Sequence, residues 1–297
     1  MNSIILAVML ALAVGESQTV KVDDRTEAKI TVQQESVKVN WVCNESNMTQ
    51  VKNYYKKDGS RWNLFAGETV DLWFSPNSWR THKVVYEPKY RIITNPSKNF
   101  FTAFIGVARP SKDFLNRVEK NDTNWSVEWI FPYAALETSE FTKPASKKVY
   151  PPANYWAFQF NRRSESSGKA TYTKSPAVVI EIPQKVIAPY QQIMMYGFAA
   201  KNGAKAGQTV VDFTLQNRSQ AAFNGKMKIV LLEGKEETLL KEEAITIPGK
   251  SDKAVNYTAT LPEKAVKFGI KVYVYNAAGT LVRISRDLPV DNPWVAF

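Results

Sequence analysis

The chain of 297 residues has one cysteine, Cys43, and one histidine, His82. A lone cysteine excludes an intramolecular disulfide. Together the two residues are too few for a usual zinc ligand set. A catalytic triad or a histidine-ligated metal site would have to be built on His82, which stands in Arg80-Thr81-His82-Lys83, the composition of a solvated loop. There is no glycine-rich phosphate loop. After residue 15 no apolar run approaches transmembrane length, so no membrane span is expected in the mature chain. Long amphipathic helical patterns are also missing, and alternation with period two dominates instead.

Basic residues outnumber acidic ones 39 to 28, a formal net charge of +11. The excess is spread over both halves and well mixed in sign, without an arginine-rich helix or an RNA-binding aromatic motif. Solvated lysines account for it, and no nucleic-acid partner is expected. The N-terminal stretch Met1 to Gly15 is apolar and uncharged and ends in the small residues Ala13-Val14-Gly15. It reads as a secretory signal peptide cleaved after Gly15, which makes the mature protein secreted, extracellular, periplasmic or at the cell surface. Sequons at Asn44, Asn47, Asn121, Asn124, Asn217 and Asn256 would carry glycans in a eukaryotic secretory pathway.

The strand pattern predicts an all-β chain of two domains. In the first, residues 16–200, Ala28–Val32 and Val37–Cys43 are strands joined by a polar turn. Val70, Leu72 and Phe74 share one strand face, which puts Asp71 and Trp73 on the other. Further strands are expected at 90–94, 100–107, 125–131 and 156–162, with one helical turn at Pro132–Leu136. A loop over residues 201–207 opens the second domain, 201–297. Its short alternating strands suggest a smaller immunoglobulin-like β-sandwich. The tail Val290–Phe297 reads as a linker cut short, leading towards a further domain such as a catalytic one.

Trp41, Trp125, Trp129 and Trp156 lie among other large residues and are expected in the core, as is Cys43. Trp62 differs, because it follows the turn signal Asp58-Gly59 with Arg61 and Asn63 beside it. An indole exposed there can stack on a sugar ring while nearby carboxylate, guanidinium and amide groups meet its hydroxyls. Glu68, Asp71 and Glu128 are the carboxylates from which a glycoside-hydrolysing pair would be drawn. No cofactor is expected; oxygen ligands near Asp23, Asp24 or Asp58 leave room for calcium without forming a defined loop motif.

In order and spacing, several segments resemble the family 9 carbohydrate-binding modules and the DOMON-related sandwiches, from about Asp24 to Ala200. They are Arg25–Val32, Val37–Cys43, Trp62 leading into Val70-Asp71-Leu72-Trp73-Phe74, Tyr90–Pro96, Trp125–Leu136, Trp156–Arg162 and Ile193–Phe198. The resemblance implies a family-9-module-like β-sandwich with a sugar slot. Trp62 would form one wall, Asp71 and Arg91 would bind hydroxyls, and Gln159 and Arg162 would lie nearby. Where family members often carry a second tryptophan wall, this chain offers Tyr172 or Tyr190. The implied function is a secreted, non-catalytic module binding polysaccharide or oligosaccharide and accessory to polysaccharide breakdown. The alternatives are a glycoside hydrolase, or a fragment of a multidomain carbohydrate-active enzyme, and a structural or adhesive envelope protein.

Overall fold

Alternation in the sequence becomes alternation in burial. The computed structural model describes residues 8–45, 48, 51, 67–76, 90–98, 100–104, 113–136, 138–139, 149–150, 152–165, 169–205, 207–264, 266–285 and 287–290. In Asn124–Pro132, Trp125, Val127, Trp129 and Phe131 are buried and the residues between them are half-buried.

In chain order the strands are β1 (Val8–Ala11), β2 (Ser17–Lys21), β3 (Thr26–Val32), β4 (Ser36–Asn44), β5 (Thr69–Ser75), β6 (Tyr90–Thr94) and β7 (Phe100–Phe104). Then come β8 (Leu115–Lys120), β9 (Asn124–Pro132), β10 (Thr138–Ser139), β11 (Val149–Tyr150), β12 (Tyr155–Ser164), β13 (Thr171–Lys174) and β14 (Val178–Glu181). After the helix α1 (Gln184–Gln192) follow β15 (Ile193–Asn202), β16 (Gln208–Asn217), β17 (Phe223–Glu233) and β18 (Glu236–Ile247). The last are β19 (Asp252–Thr260), β20 (Phe268–Asn276), β21 (Leu281–Ile284) and β22 (Leu288–Val290).

The chain forms two units, and both are discontinuous in sequence. One comprises Met1–Pro132 and Pro152–Ile187, the other Tyr133–Pro151 and Ala188–Phe297. The division therefore falls before the loop at 201–207. The reason is that β15 is hydrogen-bonded along β16, from Ile193 opposite Asn217 to Asn202 opposite Thr209. The helix α1, which strand alternation did not announce, carries the chain across this point.

The first unit is a sandwich. One sheet runs β1-β14-β12-β5-β6-β7 with β13 also on β12, and the other runs β2-β3-β4-β9-β8. Between them Phe74 lies 4.7 Å from Phe131 by ring centroids, and Trp41 meets Phe160 edge-on at 5.1 Å. Such pairs add to the large area these rings bury. Trp41, Trp125, Trp129, Trp156 and Cys43 have no solvent exposure, in agreement with a core role. The Trp129 indole N–H donates to the Asn116 side chain at 2.8 Å and to the Thr94 hydroxyl at 3.2 Å.

The second unit is also a sandwich, with sheet β15-β16-β19 against β18-β17-β20-β21, and β22 on β20. Phe213, Ile229, Ile270, Val272 and Val274 centre its core. Three strands thus face a sheet of five in an all-β sandwich. Gly225 is required in β17, because a Cβ there would lie 2.1 Å from the Tyr275 carbonyl oxygen. Buried Arg283 donates to the carbonyls of Leu136 at 2.7 Å, Tyr190 at 2.9 Å and Ile193 at 3.2 Å. The 3-10 turn Tyr133–Ala135 and the end of α1 are thereby tied to β21. Among the described residues no helix is long and apolar enough to cross a membrane.

Candidate functional site

β5 lies between β12 and β6, and its alternation decides what the outer face of the sheet displays. Val70, Leu72 and Phe74 point into the sandwich with no exposure. Thr69, Asp71 and Trp73 therefore take the opposite face. Register extends that face across neighbouring strands about 4.8 Å apart. Trp73 has Arg91 on one side and Gln159 on the other. Asp71 stands between Ile93 and Asn161, with Lys174 beyond Asn161. Arg163 pairs with Thr69 and with Tyr172.

Asp71 and Arg91 are joined across a diagonal of this lattice. Arg91 Nε donates to both carboxylate oxygens at 3.1 and 3.2 Å, and Nη2 donates to Oδ2 at 2.7 Å. A fork of this kind fixes guanidinium and carboxylate in one plane. The Arg91 guanidinium also lies 4.9 Å from the Trp73 ring centroid, a cation–π distance. Asn161 Nδ2 donates to the Asp71 main-chain carbonyl at 3.3 Å. Asp71 is buried, whereas Trp73, Arg91, Gln159 and Asn161 are half-buried. At the far end Arg163 pairs with Glu165 and lies 6.0 Å from the ring of Tyr172, which is 68% exposed.

The sequence-derived site is thus brought together only in part. Asp71, Arg91 and Gln159 share one face, and Tyr172 occupies its margin. Arg162 does not join them. It is three positions from Gln159, so strand parity turns it inward, where it is 2% exposed. There it pairs with Glu45 and Glu68, donates to the Thr69 carbonyl at 3.2 Å, and lies 5.2 Å from the Trp125 ring. Glu68 accepts from the Ser164 hydroxyl at 3.1 Å and from the Glu165 N–H at 2.6 Å. Glu45 also accepts from Arg25 Nη1 at 3.2 Å. Tyr190 is no second wall, being buried in the other unit against Tyr133 with ring centroids 5.1 Å apart. Trp62, Asp58 and His82 lie outside the described residues.

Trp73 shares the face of Asp71 as the alternation of its strand predicted, whereas Asn161 and Arg163 were not anticipated, although the signal was present. Once Asp71 faces outward, so does Trp73; once Gln159 does, so do Asn161 and Arg163. The three carboxylates considered for hydrolysis do not converge. Glu68 is held inside with Arg162, Asp71 is on the outer face of one sheet, and Glu128 pairs with Lys38 and Arg117 in the other. Asp24 pairs with Lys21 at 2.9 Å, and Asp23 accepts from the Arg25 N–H at 2.9 Å. Among the described residues no group of three or more His, Cys, Asp or Glu could hold a metal ion.

No family model and no curated protein matches the chain. Among solved structures it is similar to a DUF4785-family protein from Legionella pneumophila at 11% identity, TM-score 0.27, over 90% of this chain and 57% of that one. A DUF3823-family protein from Bacteroides ovatus aligns at 12% identity, TM-score 0.29, over 58% and 81%. A β-glucuronidase of glycoside hydrolase family 2 aligns at 7% identity, TM-score 0.28, over 87% and 24%. The chain thus spans just over half of the Legionella protein and about a quarter of the β-glucuronidase. Likenesses this distant carry no argument about function, and the chain stands as an all-β protein of sandwich units.

Proposed function

We propose that the chain is an exported, non-catalytic carbohydrate-binding protein whose site is the outer face of β12, β5 and β6. The observation that supports this is the Asp71–Arg91 fork set between Trp73, Gln159 and Asn161 on one rigid sheet. Carboxylate, guanidinium and carboxamide groups supply acceptors and donors for vicinal hydroxyls, and the indole supplies an apolar edge. Glu68, Asp71 and Glu128 do not form a pair flanking one point, which favours binding over hydrolysis.

Calorimetric titration with a panel of mono-, oligo- and polysaccharides tests the reading. Binding is expected for at least one glycan, abolished in Asp71→Asn and Arg91→Ala. Gln159→Ala, at a half-buried position, is expected to weaken it without a change in melting temperature. Absence of binding across the panel, or unchanged affinity in all three variants, refutes the assignment.

A further inference from the structure

Every strand pair among the described residues is antiparallel except one. β1 lies parallel to β14, from Val8 opposite Val178 to Ala11 opposite Glu181. A parallel pair cannot be closed by a tight turn. β1 is accordingly a strand brought to the sheet from a distant part of the chain. The pairing continues past β1, where the Leu12 N–H donates to the Glu181 carbonyl at 3.2 Å. Leu12 is 7% exposed, Leu10 is half-buried, and Ala11 between them is exposed. Val14 and Gly15 then form an exposed turn, with Gly15 at φ 88°.

The edge that β1 covers is apolar and uncharged over Val178–Ile180. β8, at a border of the other sheet, carries Arg117, Glu119 and Lys120, charges of the kind that discourage strand addition. β14 reads Val178-Val179-Ile180-Glu181, and its carboxylate is engaged by the Tyr155 hydroxyl at 3.1 Å. The strand that fills this apolar edge belongs to the stretch the export reading removes. A chain starting at Glu16 has β14 with one neighbour, β12.

We propose that β14 is a strand-acceptor edge. After residues 1–15 are cleaved, it binds in parallel an extended segment of another polypeptide, with bulky apolar residues two positions apart and a small one between, as Leu10, Ala11 and Leu12 are arranged. Main-chain hydrogen bonds hold the guest, and the place vacated by Leu12 selects it. The proposal rests on the export reading and is independent of sugar binding.

The test uses the whole chain with a protease recognition sequence inserted between Val14 and Gly15, folded first and cut afterwards. The probe is a fluorescein-labelled peptide of residues 7–14 bearing a three-lysine tag. Saturable anisotropy is expected with the cut protein and none with the uncut one. The same peptide with Leu12→Asp should bind roughly tenfold or more weakly. No binding to the cut protein, or equal binding of the Leu12→Asp peptide, overturns the acceptor edge. The N-terminal residue of protein recovered from secreting cells separates the two ideas. A start at Met1 refutes the export reading and the vacated edge together, whereas a start at Glu16 with no peptide binding refutes the acceptor alone.

Discussion

Replacing Arg162 by methionine should damage the first sandwich far more than any sugar contact. The substitution keeps apolar bulk over Trp125 but removes the cation between Glu45 and Glu68. Those side chains are 1% and 0% exposed, so neither can turn to water without opening the sandwich. Glu45 retains Arg25, whose side chain is 44% exposed, while Glu68 keeps the Ser164 hydroxyl and the Glu165 N–H. Breaking a buried pair from one side costs about 3–5 kcal/mol, because a charge is left in the interior. For a unit of this size each kcal/mol moves the melting temperature roughly 2–4 °C, giving a fall of about 6–20 °C. Tryptophan fluorescence follows it directly, since the guanidinium lies over Trp125. Arg162→Lys should recover only part, because a single ammonium lacks the fork that serves two carboxylates and the carbonyls of Thr69 and Arg163. A loss under about 1 kcal/mol, the range of exposed pairs, would refute the reasoning.

Burial raises the Cys43 thiol from 9.0 to about 12, so iodoacetamide at pH 8 should label it only in denaturant. The folded state holds this proton longer than the unfolded one, so its contribution to stability is complete below pH 9 and is lost as pH rises towards 12. Urea midpoints across that range check the sign. Gly249→Ala would place a Cβ 1.8 Å from the Gln220 carbonyl oxygen, and the second unit should lose about 1–3 kcal/mol in a chemical melt. Asn217 heads a sequon, but it is fully buried and its amide nitrogen donates to the carbonyls of Ala221, Ile247 and Pro248. Peptide mapping of folded protein from a glycosylating host should find it bare, and a glycan there would contradict the turn.

Much of the fold was legible because alternation is a local signal. Residues 37–43, 70–74 and 125–131 read directly as strands with one buried face, and the helical turn after Pro132 followed from proline's fixed φ. The helix α1 was not legible, since it is only nine residues long and has Pro189 inside it. The division near Ile187 was missed for a related reason. Which partner β15 chooses is a long-range matter, and the loop at 201–207 connects strands of one unit. In the candidate site, family resemblance pointed to Asp71 and Arg91 yet set Arg162 beside Gln159. Counting parity along β12 separates them and brings in Asn161 and Arg163. The Glu45–Arg162–Glu68 cluster had no sequence signature, because its members are dispersed along the chain and meet only when the two sheets close.

The position of β12 has a consequence for biogenesis. By Pro132 the sheet β2-β3-β4-β9-β8 has all its strands, but the opposite sheet still lacks the strand that joins β14 to β5. Until residues 155–164 have been made, Trp41 lacks the Phe160 ring that meets it edge-on. Meanwhile Tyr133–Pro151, which belongs to the second unit, has already emerged and must wait for β21. A chain made from its N-terminus therefore holds two unfinished interiors between Tyr133 and Ile187. The first unit has all its residues at Ile187, so it can close first, but it must do so while Tyr133–Pro151 still waits for its own partners, which ties yield to whatever holds apolar strands apart meanwhile.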